Sequence, residues 1–178
     1  VHTQNQKAAG LSTRDEAKTF IYAFLYGAGA EKIGKVVGGD ARAGQKLIES
    51  FLSNTPALKS LRNNVSKYAS KGFVPGLDGR KIWVRSEHSA VNSLLQGAGA
   101  VVMKQALVLL DEELRKNKIW YGFCANVHDE WQIETKEKDG ELVGKLAVQS
   151  IEKAGTLLGL RCPVSGEFNI GKTWRDTH

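Results

Sequence analysis

The stretch from Thr13 to Gly29 constrains the fold most, because it reads as one helix with two opposed faces. Ala17, Phe20, Ile21, Phe24 and Ala28 recur at helical spacing and form an apolar stripe that must be buried. Arg14, Lys18, Tyr22 and Tyr26 recur every fourth residue on the other side, about 6 Å apart along the axis. Thr13 followed by Glu16 predicts a capping box at the start, and Gly27 and Gly29 predict the stop. Two cations one turn apart suit a triphosphate, and an aromatic ring one turn further suits the base it carries. Taken alone, the Arg14–Lys18 spacing fits an ordinary amphipathic helix with its charges in water equally well.

With 178 residues the chain has length for one domain or two small subdomains. A formal net charge of +6 and a pI near 9.3 permit a phosphate-binding face without requiring one. Cys124 and Cys162 stand far apart with no partner at ligand spacing, so they read as reduced, structural cysteines with no zinc site. The apolar run from Ala98 to Leu110 is short and contains Lys104 and Gln105, so the chain reads as having neither a membrane-length segment nor a signal peptide. The tryptophans at 83, 120, 131 and 174 read as core or domain-interface residues before base-stacking platforms.

Along the chain, Gly34, Gly38 and Gly39 predict a loop, followed by helices over about 41–52 and 57–69, with Thr55 as N-cap of the second. Pro75-Gly76 and Asp78-Gly79 predict a short hairpin within 72–85, and a long helix should run over about 87–117. Strands are expected at 121–127 and 131–135, a helix at about 141–158, and a last strand or two between Cys162 and Trp174. The pattern is α+β: a helical first half, then helices on a small antiparallel sheet.

His128-Asp129-Glu130 joins the two expected strands and places an acidic pair on a hairpin tip. Magnesium takes hard oxygen ligands, so one or two carboxylates plus substrate phosphates make a usual site. Two-metal phosphoryl transfer needs a further carboxylate source nearby. Asn92 and Gln96 lie four apart on the long helix, before the small residues Gly97-Ala98-Gly99-Ala100. Side-chain amides there can donate to minor-groove acceptors that all base pairs share. Arg80, Lys81 and Arg85 fit either phosphate contacts or plain surface charge.

These motifs together resemble the C-terminal polymerase portion of family A DNA polymerases, the polymerase I-like superfamily, and most closely the replicative enzymes of short-tailed phages. R-D-E-A-K-T-F-I-Y-A-F-L-Y-G matches the fingers helix, V-H-D-E a palm hairpin, V-N-S-L-L-Q-G-A-G-A the long palm helix, and G-L-D-G-R-K the basic segment before it. The resemblance implies fingers over residues 1–71 and a partial palm over 72–178. It implies that His2, Arg14 and Lys18 grip the incoming triphosphate, with Lys18 the proton donor to pyrophosphate. Tyr22 would stack on the nascent base pair, its hydroxyl implying acceptance of dideoxynucleotides, and Tyr26 would sit at the template side. Asp129 would hold Mg2+, with Glu130 a weaker or water-mediated contact. Arg80, Asn92, Gln96 and His128 would touch the primer–template.

The family's D-x-S-x-x-E motif, source of the second metal-binding aspartate, is not found before or after His2. The expectation is therefore fingers plus part of a palm, with two Mg2+ ions only in the complete enzyme and the isolated chain inactive. The expected partners are primer–template DNA, deoxynucleoside triphosphates, and either a separate N-terminal half or a second copy, with no membrane. His178 resembles the final residue of the phage relatives, and the setting implied is the bacterial cytoplasm. A single-subunit RNA polymerase relative and a non-catalytic nucleic-acid-binding module are the alternatives.

Overall fold

The computed structural model describes residues 2–177, the side chain of His2 excepted. The expected triphosphate contact of His2 and the terminal His178 lie outside the described residues. Helices dominate: α1 (His2–Ala9), α2 (Arg14–Leu25), α3 (Ala30–Val36), α4 (Ala41–Asn54), α5 (Pro56–Ala69), α6 (Glu87–Lys116), α7 (Gly140–Leu157) and α8 (Trp174–Thr177). Strands β1 (Phe73–Pro75) and β2 (Lys81–Trp83) form one antiparallel pair, and β3 (Tyr121–Val127) and β4 (Glu130–Thr135) form another. The α+β expectation holds. Two compact units divide within α6, between Gln96 and Gly97.

In the first unit the core is built on three rings. Phe20 and Phe24 of α2 meet Phe51 of α4 edge-on, at centroid distances of 5.1 and 5.5 Å. Ile21, Ile33, Leu47 and Ile48 fill in around them. Arg62 of α5 places its guanidinium 5.4 Å from the Phe24 ring centroid. A smaller core, Val65, Val74 and Ala90 with Ile82, fastens the β1–β2 hairpin onto α5 and the start of α6.

The expected loop at Gly34 is corrected: Gly34 lies inside helix α3 and is buried. A Cβ at Gly34 would fall 1.9 Å from the Asp40 carbonyl oxygen, and one at Gly44 of α4 would fall 1.9 Å from that of Ala30. Both glycines let α3 and α4 touch backbone to backbone, so they are packing residues and not turn residues. Thr55 occupies the N-cap position of α5 but makes no side-chain cap. Its hydroxyl donates instead to the Phe51 carbonyl at 2.6 Å.

The second unit packs α6, α7 and one sheet face around Leu110, Leu114 and Val143, with Tyr121, Trp131 and Ile133 against them. The register runs from Tyr121↔Thr135 to Val127↔Glu130, with a bulge between Phe123 and Ala125 that turns Cys124 outward. The expected strands beyond Cys162 do not form. That segment lays side chains onto the glycines of α7: Val164 at Gly155, Phe168 at Gly144 and Ile170 at Gly140. Its backbone is spent on side-chain docking, not on a sheet ladder. Both cysteines are free and exposed, which corrects their reading as structural.

Helix α6 is long and apolar enough, by length and composition, to cross a membrane, although Lys104 and Gln105 interrupt its apolar run as expected. Core helices pass the same test.

Candidate functional site

Helix α2 carries the first group of predicted residues. Thr13 and Glu16 form the capping box in full: the Glu16 amide donates to the Thr13 hydroxyl and the Thr13 amide to Glu16 Oε2, both at 3.1 Å. The helix is thus pinned at its start. Ala17, Phe20, Ile21 and Phe24 are buried, while Arg14, Lys18, Tyr22 and Tyr26 are all exposed, the tyrosines by 47% and 59%. Burial of one stripe fixes the rotation of the helix about its axis, and that rotation holds the opposite row in solvent.

The far end is fixed by Gly27. Its φ of +78° is left-handed, and a Cβ there would stand 2.1 Å from the His88 carbonyl oxygen at the start of α6. Glycine is required twice over, for the turn and for the contact. Asn92 and Gln96 then follow on α6, four residues apart, half-buried and exposed respectively.

Arg80 sits beyond the β1–β2 turn with its charge engaged. Its Nε donates to Asp78 Oδ2 at 2.6 Å, and the guanidinium holds the Asp78 carboxyl below the usual carboxylate range. The sequence reading gave Arg80 to DNA without this local competitor.

The third group lies in the second unit. A turn of His128 and Asp129 joins β3 to β4, so Glu130 is the first residue of β4, where it pairs with Val127. His128 has φ +55°, the left-handed value that primed hairpin turns use, at a position where glycine costs least. Asp129 is exposed at the tip. Glu130 is half-buried, and its Oε1 accepts a hydrogen bond from the Gln132 amide. Hard carboxylate oxygens fit a magnesium ion. Among the described residues no group of three or more His, Cys, Asp or Glu side chains converges as a metal site.

Two groups escaped the sequence reading. Tyr121 donates to Asp111, which also pairs with Arg115 at 2.8 Å, tying β3 to α6. Only an i,i+4 charge pair on α6 hinted at it. Trp83 stands in solvent at 73% exposure, and Trp120 and Trp174 are exposed too, which removes the core half of their reading as core or domain-interface residues. For Trp83, its place on the outer face of a hairpin, alternating with half-buried Ile82, was the available signal.

The first unit carries a backbone-pinned helix with an exposed cationic-aromatic row, and the second carries an acidic hairpin, in a helical α+β chain. The chain belongs to DNA polymerase family A, whose family model matches residues 1–176. It is 40% identical to the DNA-directed DNA polymerase of Escherichia phage Phieco32 and 38% identical to that of Escherichia phage T7, covering all of this chain in both. The matches span 30% and 28% of those relatives, so the chain corresponds to less than a third of their length. DNA polymerase I of Geobacillus stearothermophilus is 27% identical over 92% of this chain and 20% of its own. The fold is similar to the POL domain of Pol1 from M. smegmatis in complex with DNA primer-template and dNTP. The TM-score is 0.74 at 19% identity, over 84% of this chain and 30% of that one.

Proposed function

We propose that this chain is the nucleotide- and primer-template-binding portion of a DNA-directed DNA polymerase. The parent enzyme would extend a primer 3′ end with deoxynucleotides. The observation that carries the reading is the exposed row Arg14, Lys18, Tyr22 and Tyr26, set opposite a buried stripe in a chain matched from residue 1 to 176. Arg14 and Lys18, with His2, would hold the triphosphate, and Lys18 would give its proton to the leaving pyrophosphate. Tyr22 would stack on the new base pair and Tyr26 would stand at the template side. Arg80, Asn92, Gln96 and His128 would meet the primer–template. A non-glycine residue at φ +55° supports a use for the His128 side chain, since the backbone alone would favour glycine.

Family A DNA polymerases are generally metal-dependent. We assign Mg2+ to Asp129 first, because it is exposed at the tip, and to Glu130 second, because one of its oxygens already accepts from Gln132. When bound, the ion would supply neutralisation of phosphate charge. The remaining carboxylates would come from another segment or partner, and the setting would be the cytoplasm of a bacterial host.

Binding of a fluorescent deoxynucleoside triphosphate to the 178-residue chain tests the reading. Lys18→Ala should weaken it about 10- to 100-fold, as loss of a charge-assisted contact does. Equal binding by wild type, Lys18→Ala and Arg14→Ala would overturn it.

A further inference from the structure

Strand β4 sends alternate side chains to its two faces. Trp131 and Ile133 pack on the core of Leu110, Leu114 and Val143, while Glu130 and Gln132, both half-buried, take the other face. There the Gln132 side chain bridges two groups. Its amide nitrogen donates to Glu130 Oε1, and its carbonyl oxygen accepts from the Thr177 hydroxyl at 3.2 Å. Chemistry dictates which way the amide turns. An ionised carboxylate only accepts, so it takes the NH2 end and leaves the oxygen end to a donor. The Thr177 hydroxyl also reaches the Trp174 carbonyl at 3.1 Å, so its single proton is shared.

Thr177 lies far along the chain from Gln132, and several contacts bring it back. Phe168 and Ile170 lie on Gly144 and Gly140 of α7. Gly171 then lets the chain close on α8, since a Cβ there would stand 2.3 Å from that of Asp176. Asp176 Oδ2 ties the turn, accepting from the Lys172 amide at 3.1 Å and from the Thr173 amide and hydroxyl at 2.9 and 2.8 Å. Strand and turn are thus each anchored by contacts of their own, and Gln132 links them. What the link restrains is the Glu130 carboxylate, because rotation about the last bond of a glutamate is intrinsically broad.

We propose that Gln132 is a positioning residue: it holds the Glu130 carboxylate for a divalent ion at the hairpin tip, and the C-terminal turn steadies Gln132 through Thr177. The proposal rests on the assignment of the ion to Asp129 and Glu130. A carboxylate fixed in advance binds better, because the ion does not have to order it.

Two measurements on the 178-residue chain test it, the first without metal. In proton–nitrogen NMR spectra the Gln132 side-chain NH2 pair should shift in Glu130→Gln and in Thr177→Val. It should keep its wild-type place in Thr177→Ser, which retains the hydroxyl. The second is binding of Mn2+, a carboxylate-seeking stand-in for Mg2+, read by electron paramagnetic resonance. Asp129→Asn should abolish the tip site, which tests the metal assignment by itself. Gln132→Leu should weaken Mn2+ about tenfold, as loss of a hydrogen bond to a metal-bound carboxylate does. Thr177→Val should weaken it about two- to threefold, since only a shared proton is lost, and Thr177→Ser should not. In the Gln132→Leu background Thr177→Val should add nothing, because the two act in series. Unshifted Gln132 resonances in Glu130→Gln overturn the proposal. So does unaltered Mn2+ affinity in Gln132→Leu where Asp129→Asn removes binding, and a lowered melting temperature in that variant would mark the bridge as structural. Mn2+ binding that is absent from wild type, or that survives Asp129→Asn, overturns the metal assignment and this proposal with it.

Discussion

Arg80 is held by Asp78, so under the proposed function it would reach a phosphate only by sharing or leaving that ion pair. Asp78→Asn should raise affinity for primer–template DNA about two- to fivefold, the range of an exposed ion pair, and the gain should shrink with added salt. Filter binding at two ionic strengths reads this. The Tyr121–Asp111–Arg115 contact makes a second prediction. The Tyr121 hydrogen bond holds the Asp111 carboxyl below its ordinary range; burial opposes it, and Arg115 adds to the lowering. A depressed carboxyl stabilises the fold above the ordinary carboxylate pKa, and the contribution is lost as pH falls through the lower folded value. Tyr121→Phe should move Asp111 back up in an NMR titration and flatten the acid limb of the melting curve. Tyr121 itself is raised by Asp111, so its contribution is present below the ordinary tyrosine range and lost as pH rises through the folded value. Sequence alone showed which residues carry charge, as at Arg14, Lys18 and Arg80. It could not show that Arg80 has a neighbour two positions back turned toward it, because turn geometry decides that.

Among elements, α2 was legible to its caps. Its signals are local: a Thr–Glu pair three apart, an apolar stripe at helical period, and a terminal glycine. The long helix and the acidic hairpin were legible for the same reason. Helix α3 was not, because Gly34 reads as a breaker until α4 is known to lie against it. The two buried glycines make that contact testable. Gly34→Ala and Gly44→Ala should each cost about 1–3 kcal/mol in a thermal or urea melt, since the methyl group would meet a backbone carbonyl that cannot turn aside. Phe20→Ala should cost about 3–5 kcal/mol, because it opens the centre of the three-ring core. The segment after Cys162 misled for a parallel reason. Its apolar alternation resembles a strand, yet its partners are helix glycines.

At the scale of the molecule, the β3–β4 sheet has two strands, and Phe123 and Val127 are exposed on it at 39% and 37%. In α6, Val108 is 53% exposed. Open strand edges and exposed apolar side chains favour association with another chain or another copy. Multi-angle light scattering should therefore show mass rising with concentration, and Val108→Lys should reduce the rise. A constant monomer mass would count against it. Family membership was legible because its motifs are ordered along the chain. How each motif is packed within its own unit depends on residues far apart in sequence, and periodicity carries no information about that. One clasp joins two of these scales. Because the His88 carbonyl fills the space where Gly27 lacks a side chain, the end of α2 has no slack against the first turn of α6. A push on the tyrosines is then delivered to the turn that precedes Asn92, so amide protons on either side of that clasp should exchange with deuterium in step.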